Sequence, residues 1–235
     1  MKKIGIIGGM GPLATVELFR LIVENTASKT DAGHIRLFID NNPQIPDRTE
    51  AILHNGQSPV SAIIESGHNL EKIGADILLI PCNTTHFFYD ELSNAFHAEL
   101  INMVEETVKQ ISENGLKTVG FLGTIGTIKG RVYDKYCQKY GVDLIHVEEP
   151  QQEQVMDFIY KGVKAGAPSY NSFDMQNITD SLYEKGCESI ILGCTELCLG
   201  FEMYNVRVGS FTEPMRVLAE KAIIKAGYEL VRNNQ

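Results

Sequence analysis

The chain of 235 residues has no cluster of basic side chains: 21 Lys and Arg stand against 30 Asp and Glu, for a formal net charge of −9. Proteins that bind nucleic acid concentrate cations against the phosphate backbone, so this balance argues against a nucleic-acid partner. Long apolar runs are missing as well. Ile77–Ile80 is among the most apolar stretches, a handful of residues against the ~20 that span a bilayer, and no membrane segment is expected. The start, Met1-Lys2-Lys3-Ile4-Gly5-Ile6-Ile7, begins like an export signal, but Gly8-Gly9-Met10-Gly11-Pro12 ends the apolar stretch too soon. The five cysteines are odd in number, lack the spacing of a disulfide framework and contain no C-x-x-C pair. Free thiols in a reducing cytoplasm are therefore expected. What is present, 43% apolar and 22% charged residues with 21 Gly and 8 Pro, is the composition of an ordinary globular protein with a large core.

Short β-like runs alternate with longer helix-like segments. Strands are expected at Ile4–Ile7, Ile35–Ile39, Ile77–Ile80, Val119–Leu122, Val142–His146, Ile190–Leu192 and Val206–Val208. Between them, Pro12–Thr26, Ser61–Lys72, Val104–Ser112, Val155–Lys164 and Met175–Lys185 repeat apolar residues at the three- and four-residue spacing of amphipathic helices. Pro12 suits a first helical position, and Gly74 and Gly186 stand where helices stop before strands. Such alternation implies parallel sheets covered by helices on both faces, so the fold class is α/β.

The chain also resembles itself. Lys3-Ile4-Gly5-Ile6-Ile7-Gly8 aligns with Thr118-Val119-Gly120-Phe121-Leu122-Gly123, and Gly74 through Thr84 aligns with Gly186 through Glu196 at nearly the same offset. Two similar lobes follow, each presenting one thiol, Cys82 or Cys194, just past a strand. Ligands of open parallel sheets bind at those carboxyl ends. A strand-to-helix turn points backbone N–H groups at negative charge, an environment expected to lower a thiol pKa. Asn83, Thr84 and Thr85 supply donors for a carboxylate beside the Cys82 sulfur. Two equivalent groups acting from opposite sides suit inversion of a carbon centre, with one thiolate as base and one thiol as acid.

Other chemistries compete for these residues. Each cysteine taken alone also reads as a small buried hydrophobe, a reading that the matched pair weakens. Cys82 with His86, and Cys194 with Cys198, are i,i+4 pairs able to form a Cys3His zinc site, although structural zinc more often uses C-x2-C spacing. A dithiol redox pair needs a C-x-x-C that the chain does not contain. Gly9-Met10-Gly11-Pro12-Leu13-Ala14 fits a dinucleotide fingerprint, with Asp40 near a ribose position. Pro12, however, removes a helix N-terminal donor that a pyrophosphate would use. The favoured reading has the glycines bring the first turn close to a small substrate, with Met10 on its wall. Arg48, in the proline-stiffened segment Asn41 through Thr49, is suited to grip a carboxylate with two bonds. Lys164, in Gly162-Val163-Lys164-Ala165-Gly166, could add a second positive point, although the residues alone read both cations as solvated charges.

Together these blocks resemble the aspartate/glutamate racemase family, and within it the cofactor-independent aspartate racemases. The resemblance rests on Ile6 through Pro12, Asn41 through Thr49, Pro81 through His86, Gly162 through Gly166 and Gly193-Cys194-Thr195-Glu196, in that order. It implies two pseudo-symmetric α/β lobes, residues 1–98 with 211–235 carrying Cys82 and residues 99–210 carrying Cys194, with the site in the cleft between them. It further implies a homodimer, no cofactor and no metal. By the same resemblance the catalytic thiols are Cys82 and Cys194, and both are kept here. Arg48, its neighbours Asp47 and Thr49, and Lys164 would hold the side-chain carboxylate of a small dicarboxylic amino acid. Asn83, Thr84 and Thr85 would hold the α-carboxylate, with Thr127 and Thr195 as second-lobe equivalents. The block that reads Glu213-Pro214 is usually Asp-Pro in the family, and Thr85 stands where Ala is common. The expected activity is aspartate racemisation by two-base proton transfer. The alternatives are a racemase or isomerase of another small acid (glutamate, a hydantoin or maleate) and a non-catalytic dicarboxylate-binding protein.

Overall fold

Strands buried on both faces must be apolar throughout, and the segments that meet this condition form the centres of two parallel sheets. The computed structural model describes residues 1–231. Its strands are β1 (Ile4–Gly8), β2 (Leu37–Asn41), β3 (Ile77–Leu79), β4 (Glu99–Leu100), β5 (Thr118–Gly123), β6 (Asp143–His146), β7 (Ser189–Gly193) and β8 (Phe211–Thr212). Its α-helices are α1 (Pro12–Asn25), α2 (Arg48–Leu53), α3 (Val60–Lys72), α4 (Tyr89–Ala95), α5 (Met103–Glu113), α6 (Ile125–Lys129), α7 (Asp134–Tyr140), α8 (Glu149–Asp157), α9 (Phe173–Glu184), α10 (Thr195–Met203) and α11 (Pro214–Lys225). Among the described residues, no helix is long and apolar enough to cross a membrane.

The chain divides into two compact units, Met1–Glu106 with the segment from Met215 onward, and Thr107–Pro214. In the first, the strand order is β2-β1-β3-β4, all parallel. Ile4 and Ile6 face Leu18, Leu21 and Ile22 of α1 and Leu218, Ala222 and Ile223 of α11. Ile7 and Leu78 face the other way, onto Ile63 and Leu70 of α3 and Leu92 of α4. Helices therefore cover both faces.

The second unit repeats the order as β6-β5-β7-β8, again all parallel. Leu122, Ile190 and Leu192 pack with Val155 of α8, Ile178 and Leu182 of α9 and Leu197 and Phe201 of α10. Phe121, on the opposite face of β5, meets Tyr133 at a centroid distance of 4.9 Å. The fold is thus α/β, with the two central strand pairs, β1 with β3 and β5 with β7, being the segments that match in sequence.

Two expected elements differ. Val206–Val208 is not a strand. Its alternating pattern is real, but the N–H and C=O of Arg207 are bonded at 2.9 Å each by the side-chain amide of Gln176, which leaves no ladder for a neighbouring strand. The edge position goes to β8, where Ile190 pairs with Phe211. The helix expected over Val155–Lys164 begins earlier, with a proline in its first turn and the Gln151 side chain accepting the Glu148 N–H at 3.3 Å. It then widens into a π-helical run over Phe158–Lys164.

Candidate active site

In the first unit the carboxyl ends of β1, β2 and β3 bring most of the expected residues to one edge of the sheet. Gly9 has φ +97°, open to glycine at little cost. A Cβ there would run into the carbonyl of Asn42. The tight turn after β1 therefore presses on the segment after β2, where close approach to a substrate was expected. Met10 is buried beside it and its Sδ accepts the Thr85 hydroxyl at 3.6 Å. Asp47 caps α2, its carboxylate accepting the Glu50 N–H at 3.0 Å. Thr49 is buried in the same helix, which packs against the 3₁₀ run Thr84–Phe88.

Arg48 turns back on its own loop. One terminal nitrogen donates to the carbonyls of Pro46 at 3.0 Å and Ile45 at 3.3 Å. Its buried Nε has no hydrogen-bond partner among the described residues. Both features suit a carboxylate clamp: the backbone fixes one edge of the guanidinium, and a donor is left over.

Cys82 follows β3 and is buried, as are Asn83, Thr84 and Thr85. Its turn is braced by His86. The ring Nδ1 donates to the Cys82 carbonyl at 2.9 Å, and Nε2 accepts the Met103 N–H at 3.1 Å. One nitrogen donates and the other accepts, so the imidazole is neutral. Burial pushes its pKa down to about 4. His86 thus holds the backbone that carries the sulfur.

In the second unit Cys194 follows β7 directly and stands at the N-cap of α10. It is buried, and its S–H donates to Glu196 Oε2 at 2.9 Å. Thr195 donates to the same oxygen at 3.0 Å. Lys164, at the end of the π-helical run, places Nζ 3.6 Å from Glu196 Oε1 and over the ring of Tyr160 at 4.7 Å from its centroid. Thr127 is buried in α6, its hydroxyl 3.0 Å from that of the capping Thr124.

The thiol pKa expected from helix geometry is reversed at Cys194. Burial, followed by the Glu196 carboxylate, pushes it well above the usual thiol value. Lys164 and the Glu196 backbone N–H pull it down by less. Desolvation penalises the thiolate more than the helix terminus stabilises it. Glu196 was not among the residues expected at the site, although it stands two places after the cysteine in the first helical turn.

A family model described as Asp/Glu/Hydantoin racemase matches residues 7–221. The chain is 30% identical over 203 residues to the broad specificity amino-acid racemase RacX of Bacillus subtilis, covering 83% of this chain and 85% of that protein. Among solved structures, Picrophilus torridus aspartate racemase has a TM-score of 0.83 at 28% identity, with 97% of this chain and 96% of that one covered. An aspartate racemase homologue from Pyrococcus horikoshii shares the fold with a TM-score of 0.76 at 23% identity, covering 96% and 99%.

Proposed function

The chain belongs to the Asp/Glu/hydantoin racemase family and is an amino-acid racemase, and from this premise we propose that it interconverts L- and D-aspartate by a two-base transfer of the α-proton, without pyridoxal phosphate or metal. The observation that carries the reading is the paired placement of Cys82 and Cys194, each just past the second central strand of its own four-stranded sheet. One thiolate removes the α-proton, and the electron pair stays on the substrate as an enolate-like anion. The opposite thiol then delivers a proton to the other face. Arg48 and Lys164 hold the side-chain carboxylate, with Asp47 and Thr49 shaping the segment around Arg48. Asn83, Thr84 and Thr85, with Thr127 and Thr195, surround the α-carboxylate, and Met10 closes the wall against Thr85.

Aspartate is favoured over glutamate by the Pro46-Asp47-Arg48-Thr49 block and by the likeness to an aspartate racemase at 28% identity. A broader substrate range is the second reading, and the 30% identity to a broad specificity amino-acid racemase favours it. The enzyme works as a homodimer in the cytoplasm. Chiral chromatography of Cys82→Ala and Cys194→Ala, each checked for intact circular dichroism, tests the mechanism. Both variants are expected to lose racemisation, and retained turnover in either would remove the two-base assignment. Running the wild type on L-aspartate, L-glutamate and a panel of neutral amino acids separates the two substrate readings.

A further inference from the structure

The two thiols sit at matching places in the two sheets, yet their neighbours differ in charge. Cys82 is followed by Asn, Thr and Thr, whereas Cys194 is followed by Thr and Glu. That one difference puts a carboxylate oxygen 2.9 Å from the Cys194 sulfur, in the direction its proton must point. Thr195 donates to the same oxygen at 3.0 Å, so two donors fix the carboxylate in place. Lys164 stands 3.6 Å from the other oxygen, and the Glu196 side chain is only 12% exposed.

We propose that Glu196 is a positioning residue for the proton on Cys194: it accepts the Cys194 S–H, keeps that sulfur protonated in the substrate-free protein, and so makes Cys194 the acid of the first turnover. The inference rests on the two-thiol reading above. Cys82 thiolate takes the α-proton, breaking C–H and forming S–H. The substrate anion then takes the proton from Cys194, whose S–H electron pair remains as thiolate. After product leaves, Cys194 regains a proton from water and Cys82 returns one to water. Glu196 biases that reset, because a thiolate 2.9 Å from a carboxylate is a like-charge pair in a buried setting. The raised pKa of the Cys194 thiol agrees with this geometry.

The charged groups that face the sulfur are Glu196 on α10 itself and Lys164 from the π-helical run packed against α10. β7, which also packs against α10, is Ser-Ile-Ile-Leu-Gly and carries no titratable side chain. Glu196 therefore sets the sign of the effect, and Lys164 moderates it.

The test is the pH profile of Cys194 alkylation by iodoacetamide, read on the Cys194 peptide by mass spectrometry. In Glu196→Gln, which keeps the shape and removes the charge, the midpoint should move down and alkylation at pH 8 should quicken by about tenfold or more, since each unit of pKa changes the thiolate fraction tenfold. Glu196→Asp should stay with the wild type. An unchanged or raised midpoint in Glu196→Gln overturns the proposal. Should that variant not fold, Glu196→Ala removes the same carboxylate and should also lower the midpoint, and no movement there overturns the proposal equally. Alkylation needs no turnover, so either result stands apart from whether the protein racemises aspartate.

Discussion

Acidification from pH 7 to pH 4 should cost the folded protein about 3 kcal/mol through His86 alone. The ring is fully buried, donates to the Cys82 carbonyl and accepts the Met103 N–H. It has no means of accepting a proton without breaking the second bond. Its folded pKa of about 4 lies below the ordinary 6.5 of an unfolded histidine. The sign follows from proton binding: between these values the unfolded chain holds the proton and the folded chain does not, so stability falls as pH falls. It is fully present above about 6.5 and drains away towards 4. At ~1.4 kcal/mol per unit the total is about 3 kcal/mol. Urea unfolding followed by far-ultraviolet circular dichroism at pH 7, 5.5 and 4 measures it. His86→Gln is the control, because an amide can also donate to one group while accepting from another and does not titrate. Carboxylates held below their usual range, such as Glu71 and Glu99, also lose stability in acid, but they do so in both proteins and cancel in the difference. The wild type should therefore lose about 3 kcal/mol more than the variant across this range. Equal losses would show that His86 does not stay neutral in its brace.

Three further perturbations follow from the same unit. Gly9→Ala combines a strained φ with a Cβ driven into the Asn42 carbonyl, and urea unfolding should show a loss of at least about 2 kcal/mol; a neutral result would mean the turn moves freely against the β2 segment. Asp47→Ala removes the cap of α2 and should cost about 1 kcal/mol by the same assay; an unchanged stability would mean the Glu50 N–H is satisfied without it. On the proposed clamp, Arg48→Ala would remove a charge-assisted contact worth about 1.5–3 kcal/mol, so KM for aspartate should rise by roughly 10- to 150-fold in steady-state kinetics; an unchanged KM would remove Arg48 from the proposed clamp.

The sequence announces the central strands because burial on both faces leaves only apolar residues in β1 and β3, and in β7 after its first residue, Ser189. Edge strands are quieter. Glu99–Leu100 is two residues long and has no pattern to read, and Val206–Val208 alternates like a strand while Gln176 holds its backbone. The matching places of the two cysteines, just past β3 and β7, were legible through repetition of the segments that carry them. Glu196 was hidden by its ordinariness, since an acidic residue in a first helical turn is what the helix dipole favours anyway. Which of its neighbours it touches depends on rotamers. The direction of the Cys194 shift was hidden for a different reason: it is decided by desolvation, which exists only once the core has closed over β7.

Proton NMR of the reduced, EDTA-treated protein with L-aspartate in D2O, followed by chiral chromatography, is the most direct measurement of cofactor-free aspartate racemisation. Loss of the α-proton signal together with formation of D-aspartate is the predicted result. Retention of that signal with both antipodes of aspartate, under conditions where the fold is intact, would contradict it.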